Sequence, residues 1–230
     1  MNINDVIKLY EDYKERYGSE ATRYISKLLA EIQEAHKADW LKMPTKQKDH
    51  EQSWRSFKGK NYEKLVFYII KDEVERMGLK VIEGKALEKN TNQSEELSGV
   101  KKNLLVDYGD FGAYLPDVDI VIYDPISYEV FAIISSKITL RERIAQTGYW
   151  KIKLSQDEAT KHIKVFFITP DEDNTLKSKW PAKKGRAIVE VDTDGTYVMS
   201  EEDLEESNKV KNFNKFFMDM SNLIYAKRNQ

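Results

Sequence analysis

Two short stretches of this chain hold the residue types needed for phosphate ester chemistry. Leu115-Pro-Asp-Val-Asp-Ile-Val-Ile-Tyr123 opens with two carboxylates and then turns apolar. Val130-Phe-Ala-Ile-Ile-Ser-Ser-Lys137 starts with five apolar residues and ends in two serines and a lysine. The apolar run reads as a buried strand. A lysine at its mouth is costly unless something nearby is negative. Asp117 and Asp119, two residues apart, are expected on one face of an extended strand. Neighbouring strands, one starting in acids and one ending in lysine, would form a metal-and-lysine site. Phosphodiester hydrolysis needs a water activated near neutral pH and a cation for the charge that builds on phosphate. A carboxylate-bound Mg2+ supplies both and keeps several waters. Asp119 would ligate it with Asp117 close by, and the carbonyl of Ser136 would add an oxygen. Lys137 would touch the scissile phosphate or the attacking water.

Four residues beyond Lys137 stand Arg141, Glu142 and Arg143. Guanidinium donors and a carboxylate acceptor match the major-groove edges of G and C. Surface helices also begin with such triplets, so this one does not decide the matter alone. Glu63 is a further acid. It sits beside the apolar stripe Tyr62, Leu65, Val66, Ile69 and Ile70 of a helix expected from Asp49 onward. There it is either a surface residue favoured by the helix dipole or an acid turned toward a metal.

The chain has 230 residues, 40% hydrophobic and 33% charged, with net charge −2. That length suits one large domain, or one with a helical arm, and that composition allows a single core. No global basic signature of nucleic-acid binding is present. Locally the balance differs: residues 134–153 hold Lys137, Arg141, Arg143, Lys151 and Lys153 against the single acid Glu142. A phosphate-facing surface needs such an excess. There is no cysteine, which excludes disulfides and thiolate zinc sites and suits a cytoplasmic location. The three histidines, His36, His50 and His162, are scattered, which argues against histidine chemistry. No apolar run approaches membrane-span length, and the first ten residues do not read as a signal peptide.

The elements that must position these residues follow from periodicity. Helical spacing runs from residue 3 to 36, broken at Gly18-Ser19, with Ser19 a candidate cap for the second helix. Met43-Pro44-Thr45 separates this arm, residues 1–48, from a catalytic domain over 49–230. A short strand is expected at 79–82, a polar loop over 84–103, and another short strand at 104–107. Residues 115–123 and 128–135 form a hairpin around Asp124-Pro125. A helix starts at Arg141 and reaches Gly148. Strands follow at 164–170 and 187–191, separated by a polar loop with Trp180-Pro181 and Lys183-Lys184. Ser200 caps an acidic start to a closing helix bearing Phe213, Phe216, Phe217 and Met220. The fold class is α/β, a mixed central sheet flanked by helices with an N-terminal helical arm.

Pro116-Asp117 with Ser135-Ser-Lys137 resembles the PD-(D/E)XK nuclease core, with serine where the common pattern has its second acid. Lys137 followed by Arg141-Glu-Arg143 is similar to the restriction endonucleases that read CC and GG within palindromes. The run from Glu51-Gln-Ser-Trp54 to Glu63 resembles the start of the catalytic domain in BsaWI-like type II restriction enzymes. The resemblance covers about residues 51–170. It implies a restriction-endonuclease-like core, Mg2+, double-stranded DNA as substrate and a homodimer, with a higher oligomer open. Position by position, it makes Asp119 the main ligand, Lys137 the catalytic lysine and Glu63 the helix acid. Arg141 and Arg143 would donate to guanine O6 and N7, and Glu142 would accept from cytosine N4. Relatives in that branch often carry a further acid past the triplet, and none stands in residues 144–153. Glu63, Asp117 or a single-metal site would compensate, and Asp117 and Asp119 both remain candidates for primary ligand. The rivals are a non-specific or structure-specific repair nuclease of the same fold and an inactive DNA-binding module.

Overall fold

In the computed structural model, residues 1–42, 49–88, 94–140 and 143–229 are described. Asn2 and Asp5 close a capping box that starts α1 (Ile3–Tyr17), and Gly18 at φ 57° ends it. The chain then makes a 3-10 turn (Gly18–Tyr24), anchored by buried Ala21 and Thr22. The second helix, α2 (Ile25–Lys42), therefore starts at Ile25 without a cap from Ser19, and it runs past residue 36. The expected break at Met43-Pro44-Thr45 lies outside the described residues. Asp49 caps α3 (His50–Arg76) by accepting from the Glu51 amide. His36 and His50, far apart in sequence, meet at 3.2 Å between α2 and α3.

After β1 (Lys80–Glu83) the expected polar loop contains two helices, α4 (Lys85–Glu88) and α5 (Glu95–Lys102), the second capped by Ser94. Residues 89–93 lie outside the described residues. Leu87 and Val100 are buried there, and apolar residues this sparse leave no periodic signal. A small hairpin of β2 (Val106–Asp107) and β3 (Ala113–Tyr114) follows. The main hairpin is β4 (Ile120–Tyr123) and β5 (Val130–Ser136), turned where Asp124 accepts from the Ile126 and Ser127 amides. Residues 115–119 are not part of the strand, so Asp117 does not share a strand face with Asp119.

The next helix, α6 (Arg143–Ser155), passes through Gly148. Its Ile144 and Leu154 are buried in two separate clusters, which outweighs the cost of one helical glycine, about 1 kcal/mol. After β6 (Lys164–Thr169), residues 187–191 are helical, within α7 (Lys184–Asp192), where a strand was expected. Arg186 and Glu190 pair one turn apart, Val189 is buried and Val191 is 74% exposed, a helical pattern of burial. The strand position belongs to β7 (Gly195–Val198), followed by β8 (Val210–Asn212). Ser200 lies between these strands, and the closing helix α8 (Phe216–Arg228) starts only after a 3-10 turn at Phe213–Lys215.

The main sheet has the order β1-β4-β5-β6-β7-β8. Its first three strands pair antiparallel and the rest parallel, so it is mixed. Ile120, Ile122, Ile134 and Ile168 face one core, which holds Val6, Leu28, Ile32, Trp54, Leu65 and Phe216 from α1, α2, α3 and α8. Val121, Ile133 and Val165 face the other side, against Leu154 of α6 and Val100 of α5. A third cluster joins Leu140, Ile144, Phe167, Leu176 and Val189. The result is a helix–sheet–helix sandwich.

Candidate active site

Asp119 directly precedes β4 and Lys137 directly follows β5. Antiparallel pairing of Ile120 with Ile134 places the entry of one strand beside the exit of the other. The two ends are stitched together: the Asp119 amide donates to the Ile134 carbonyl at 3.1 Å. The Ser136 amide donates to Asp119 Oδ2 at 2.7 Å. The third arm comes from α3, whose inner face buries Tyr62, Leu65 and Val66 and so fixes the rotation of Glu63 toward the strand ends. Lys137 Nζ donates to Asp119 Oδ1 at 2.8 Å and to Glu63 Oε1 at 2.6 Å. One ammonium thus bridges acids from two layers of the fold.

The electrostatics follow from that arrangement. Burial raises the Asp119 pKa, and the Glu63 charge raises it further. The Lys137 ammonium and the Ser136 amide offset this only in part. Burial works against the charged form of Lys137, but Asp119 and Glu63 outweigh it and hold the lysine above its ordinary value. Lys85 adds an exposed cation, 3.7 Å from Glu63 Oε2.

Asp117 is exposed, and its Oδ2 accepts from Gln146 Nε2 of α6 at 2.8 Å. It lines a narrow recess with Asp119, Ser135, Lys137 and Gln146. Asp117, Asp119, Ser135 and Lys137 are therefore brought together, and Glu63 reaches the same lysine. Ser136 is fully buried, and its hydroxyl has no hydrogen-bond partner among the described residues. Arg141, Glu142 and the side chain of Arg143 lie outside the described residues. Gln146, Lys58 and Glu172 did not emerge from the sequence. Lys58 and Glu172 pair at 2.9 Å in a groove that also holds Lys137. Gln146 follows Arg143 by three residues on one helix, a spacing that could have marked it. Lys58 and Glu172 are 114 residues apart, and no local pattern links them.

Comparison with known proteins supplies the class first. The whole chain superposes on a solved complex of the restriction endonuclease PspGI with substrate DNA. The match has a TM-score of 0.54 and 14% identity, covering 98% of this chain and 94% of that one. The fold is thus that of the restriction endonucleases. The sequence model described as BsaWI restriction endonuclease type 2 matches residues 96–220, beyond the end of the motif resemblance. A protein of Methanocaldococcus jannaschii named as the type II restriction enzyme MjaVIP is 36% identical over 226 residues, 96% of this chain and 93% of that protein. One of Helicobacter pylori, named as the type II restriction enzyme HpyAORF263P, is 36% identical over 128 residues, 56% of this chain and 65% of that protein. The chain belongs to the BsaWI-type family of type II restriction endonucleases, which are DNA-cleaving hydrolases.

Proposed function

We propose that the protein cuts double-stranded DNA in a Mg2+-dependent reaction at a palindromic site containing CC and GG. The observation that supports this most directly is the Lys137 ammonium held between Asp119 and Glu63 at a groove mouth. Carboxylates that converge on one cation suit a hard divalent ion. Among the described residues no third carboxylate or histidine completes a cage, so the ion would keep several waters. Asp119 and Glu63 would hold it, with the Ser136 carbonyl as a further oxygen. When bound there, Mg2+ lowers the pKa of a coordinated water and polarises the phosphate. Lys137 would turn its donors from the acids to a phosphate oxygen and stabilise the charge that develops on it. Asp117, fixed by Gln146, would orient water at the edge of the recess. Ser135 would leave that side of the lysine uncharged, where the common pattern has a second acid.

Arg141, Glu142 and Arg143 would read the G and C edges, each good bidentate arginine contributing about 1–3 kcal/mol of discrimination. A palindrome is cut on both strands by a two-fold protein, so the working form would be a homodimer, meeting its DNA in the cytoplasm.

A plasmid digest with Mg2+ tests this reading. Discrete fragments are expected, their mapped ends sharing a palindrome, and EDTA should abolish them. Lys137→Ala should slow cleavage by at least about 10²–10³-fold while duplex binding persists. A smear or end-dependent products would favour a repair nuclease. Binding without cleavage, even in Mn2+, would favour an inactive module.

A further inference from the structure

We propose that residues 171–184 form a second DNA-contact element, in which Trp180, Lys179 and Lys184 grip the duplex beside the cleaved step. This rests on the reading of the protein as a DNA-cutting enzyme. Strands β5 and β6 run parallel, so the chain after Thr169 leaves the sheet at the same end as Lys137. The segment is tied to the site from its first residues. The Glu172 amide donates to the Ile138 carbonyl at 3.3 Å, and the Glu172 carboxylate meets Lys58 in the groove beside Lys137. Its far end is tied to the α6 start. A Cβ on Gly185 would lie 2.4 Å from Thr175 and 4.0 Å from Ile144, so the chain folds back against α6 there. Leu176 is buried in one cluster with Leu140 and Ile144, the two residues that bracket positions 141–143.

The segment is built as a rigid support. Asp171 accepts from the Thr175 and Leu176 amides at 2.9 and 2.8 Å. Arg186, fully buried, donates to the Leu176 carbonyl and to the Glu205 carbonyl. A buried arginine that fastens a surface segment from below is more than a connection requires. On this support, residues 179–184 are exposed without a break, and Trp180 is 79% exposed.

Charge gives the occupant. Residues 171–184 hold four lysines against three acids at the start: Asp171, which is buried, Glu172, which pairs with Lys58, and Asp173. From Asn174 to Gly185 there is no acid. Lys177 pairs with Glu202, and Lys183 donates to the Asp173 and Asn174 carbonyls. The Glu205 carboxylate accepts from the Lys179 amide at 2.6 Å. Lys179 and Lys184 have no ion-pair partner among the described residues. Lys184 begins α7 and Lys183 precedes it, where the helix dipole disfavours a cation. An unpaired cation at the positive end of a helix, Lys184, and a second, Lys179, adjoining an exposed indole fit a polyanion with apolar sugar and base edges. Duplex DNA is that polyanion.

The test measures binding of a labelled duplex carrying the mapped cleavage site over a series of salt concentrations. It uses the full chain without divalent ion, and adds single-turnover cleavage at saturating DNA. Lys179→Ala with Lys184→Ala should reduce the slope of log K against log salt by about 2, one phosphate contact each. Trp180→Ala should weaken binding about tenfold, the loss of one aromatic anchor. Variants that bind with unchanged affinity and slope, in a protein that does cut, overturn this element and leave the nuclease reading standing. An unsubstituted protein that neither binds nor cuts DNA overturns both. The substituted side chains are exposed, and thermal melting that matches the parent separates a contact effect from unfolding.

Discussion

At the scale of single residues, Lys137 is the hub of the site. Its ammonium sits between two carboxylates and offsets the charge of one, and its side chain is only 22% exposed. Replacing it with methionine keeps much of the packing and leaves Asp119 and Glu63 facing each other. The fold should lose about 1–3 kcal/mol at pH 8, less than a fully buried pair because water reaches the edge. The sign with pH is set by Asp119, whose pKa burial already raises and the Lys137 ammonium lowers. Without the lysine its folded pKa lies further above the unfolded one, so the penalty is present at high pH and fades as Asp119 protonates. Urea melts at pH 8 and pH 5 should show the larger loss at pH 8, and an equal loss would remove the charge argument. That Lys137 would meet an acid such as Asp119 was legible in the sequence, because an apolar strand ending in lysine demands an acid nearby, whereas Ser135 was marked only by the motif resemblance. Glu63 was ambiguous there, since a helix stripe gives the rotation of a side chain but not what faces it. Its role in the cluster depends on packing between α3 and the sheet, which periodicity does not report.

At the scale of elements, the site is set by how strand ends abut. Gly84 follows β1, and its amide donates to the Asp119 carbonyl at 2.9 Å. A Cβ at Gly84 would lie 2.0 Å from the Val118 carbonyl oxygen, so β1 cannot approach Asp119 with any side chain there. Gly84→Ala should destabilise the protein by about 1–3 kcal/mol and shift Asp119 enough to lower cleavage tenfold or more. The readouts are the urea midpoint and the single-turnover rate of the folded fraction. A variant that cuts at the parental rate would show that this contact does not govern the site.

The elements also show where the sequence was opaque. Continuous apolar strands such as β5 and β6 were plain. The segment at 187–191 was not, because Ile188, Val189 and Val191 have strand-forming side chains. The decision for helix came from buried Arg186 and its partners at Leu176 and Glu205. Likewise β7, Gly195-Thr-Tyr-Val198, is only four residues long and is held by β6 and β8 rather than by its own pattern.

At the scale of the whole molecule, the mixed sheet separates two helical layers that make different demands on the sequence. The layer of α1, α2, α3 and α8 builds one continuous core against the sheet, so the two N-terminal helices pack into the same interior as Glu63's helix. The opposite layer supports α6 and the 171–184 segment. The order of elements foresaw a mixed sheet flanked by helices, since helices, a strand cluster and a closing helix allow few other layerings. It could not foresee the pairing order, which long-range contacts decide.

The main hairpin has one further consequence. Its turn, where Ile126 is 89% exposed, sits at the far end of β4 and β5 from Asp119 and Lys137. Strand register, not the turn, keeps the acid and the amine together. A foreign peptide spliced in at Ile126 should therefore be carried as passive cargo, with DNA cutting and melting temperature close to those of the parent. The same splice between Ser136 and Ile138 should silence the enzyme, so a reporter or surface tether belongs at the turn.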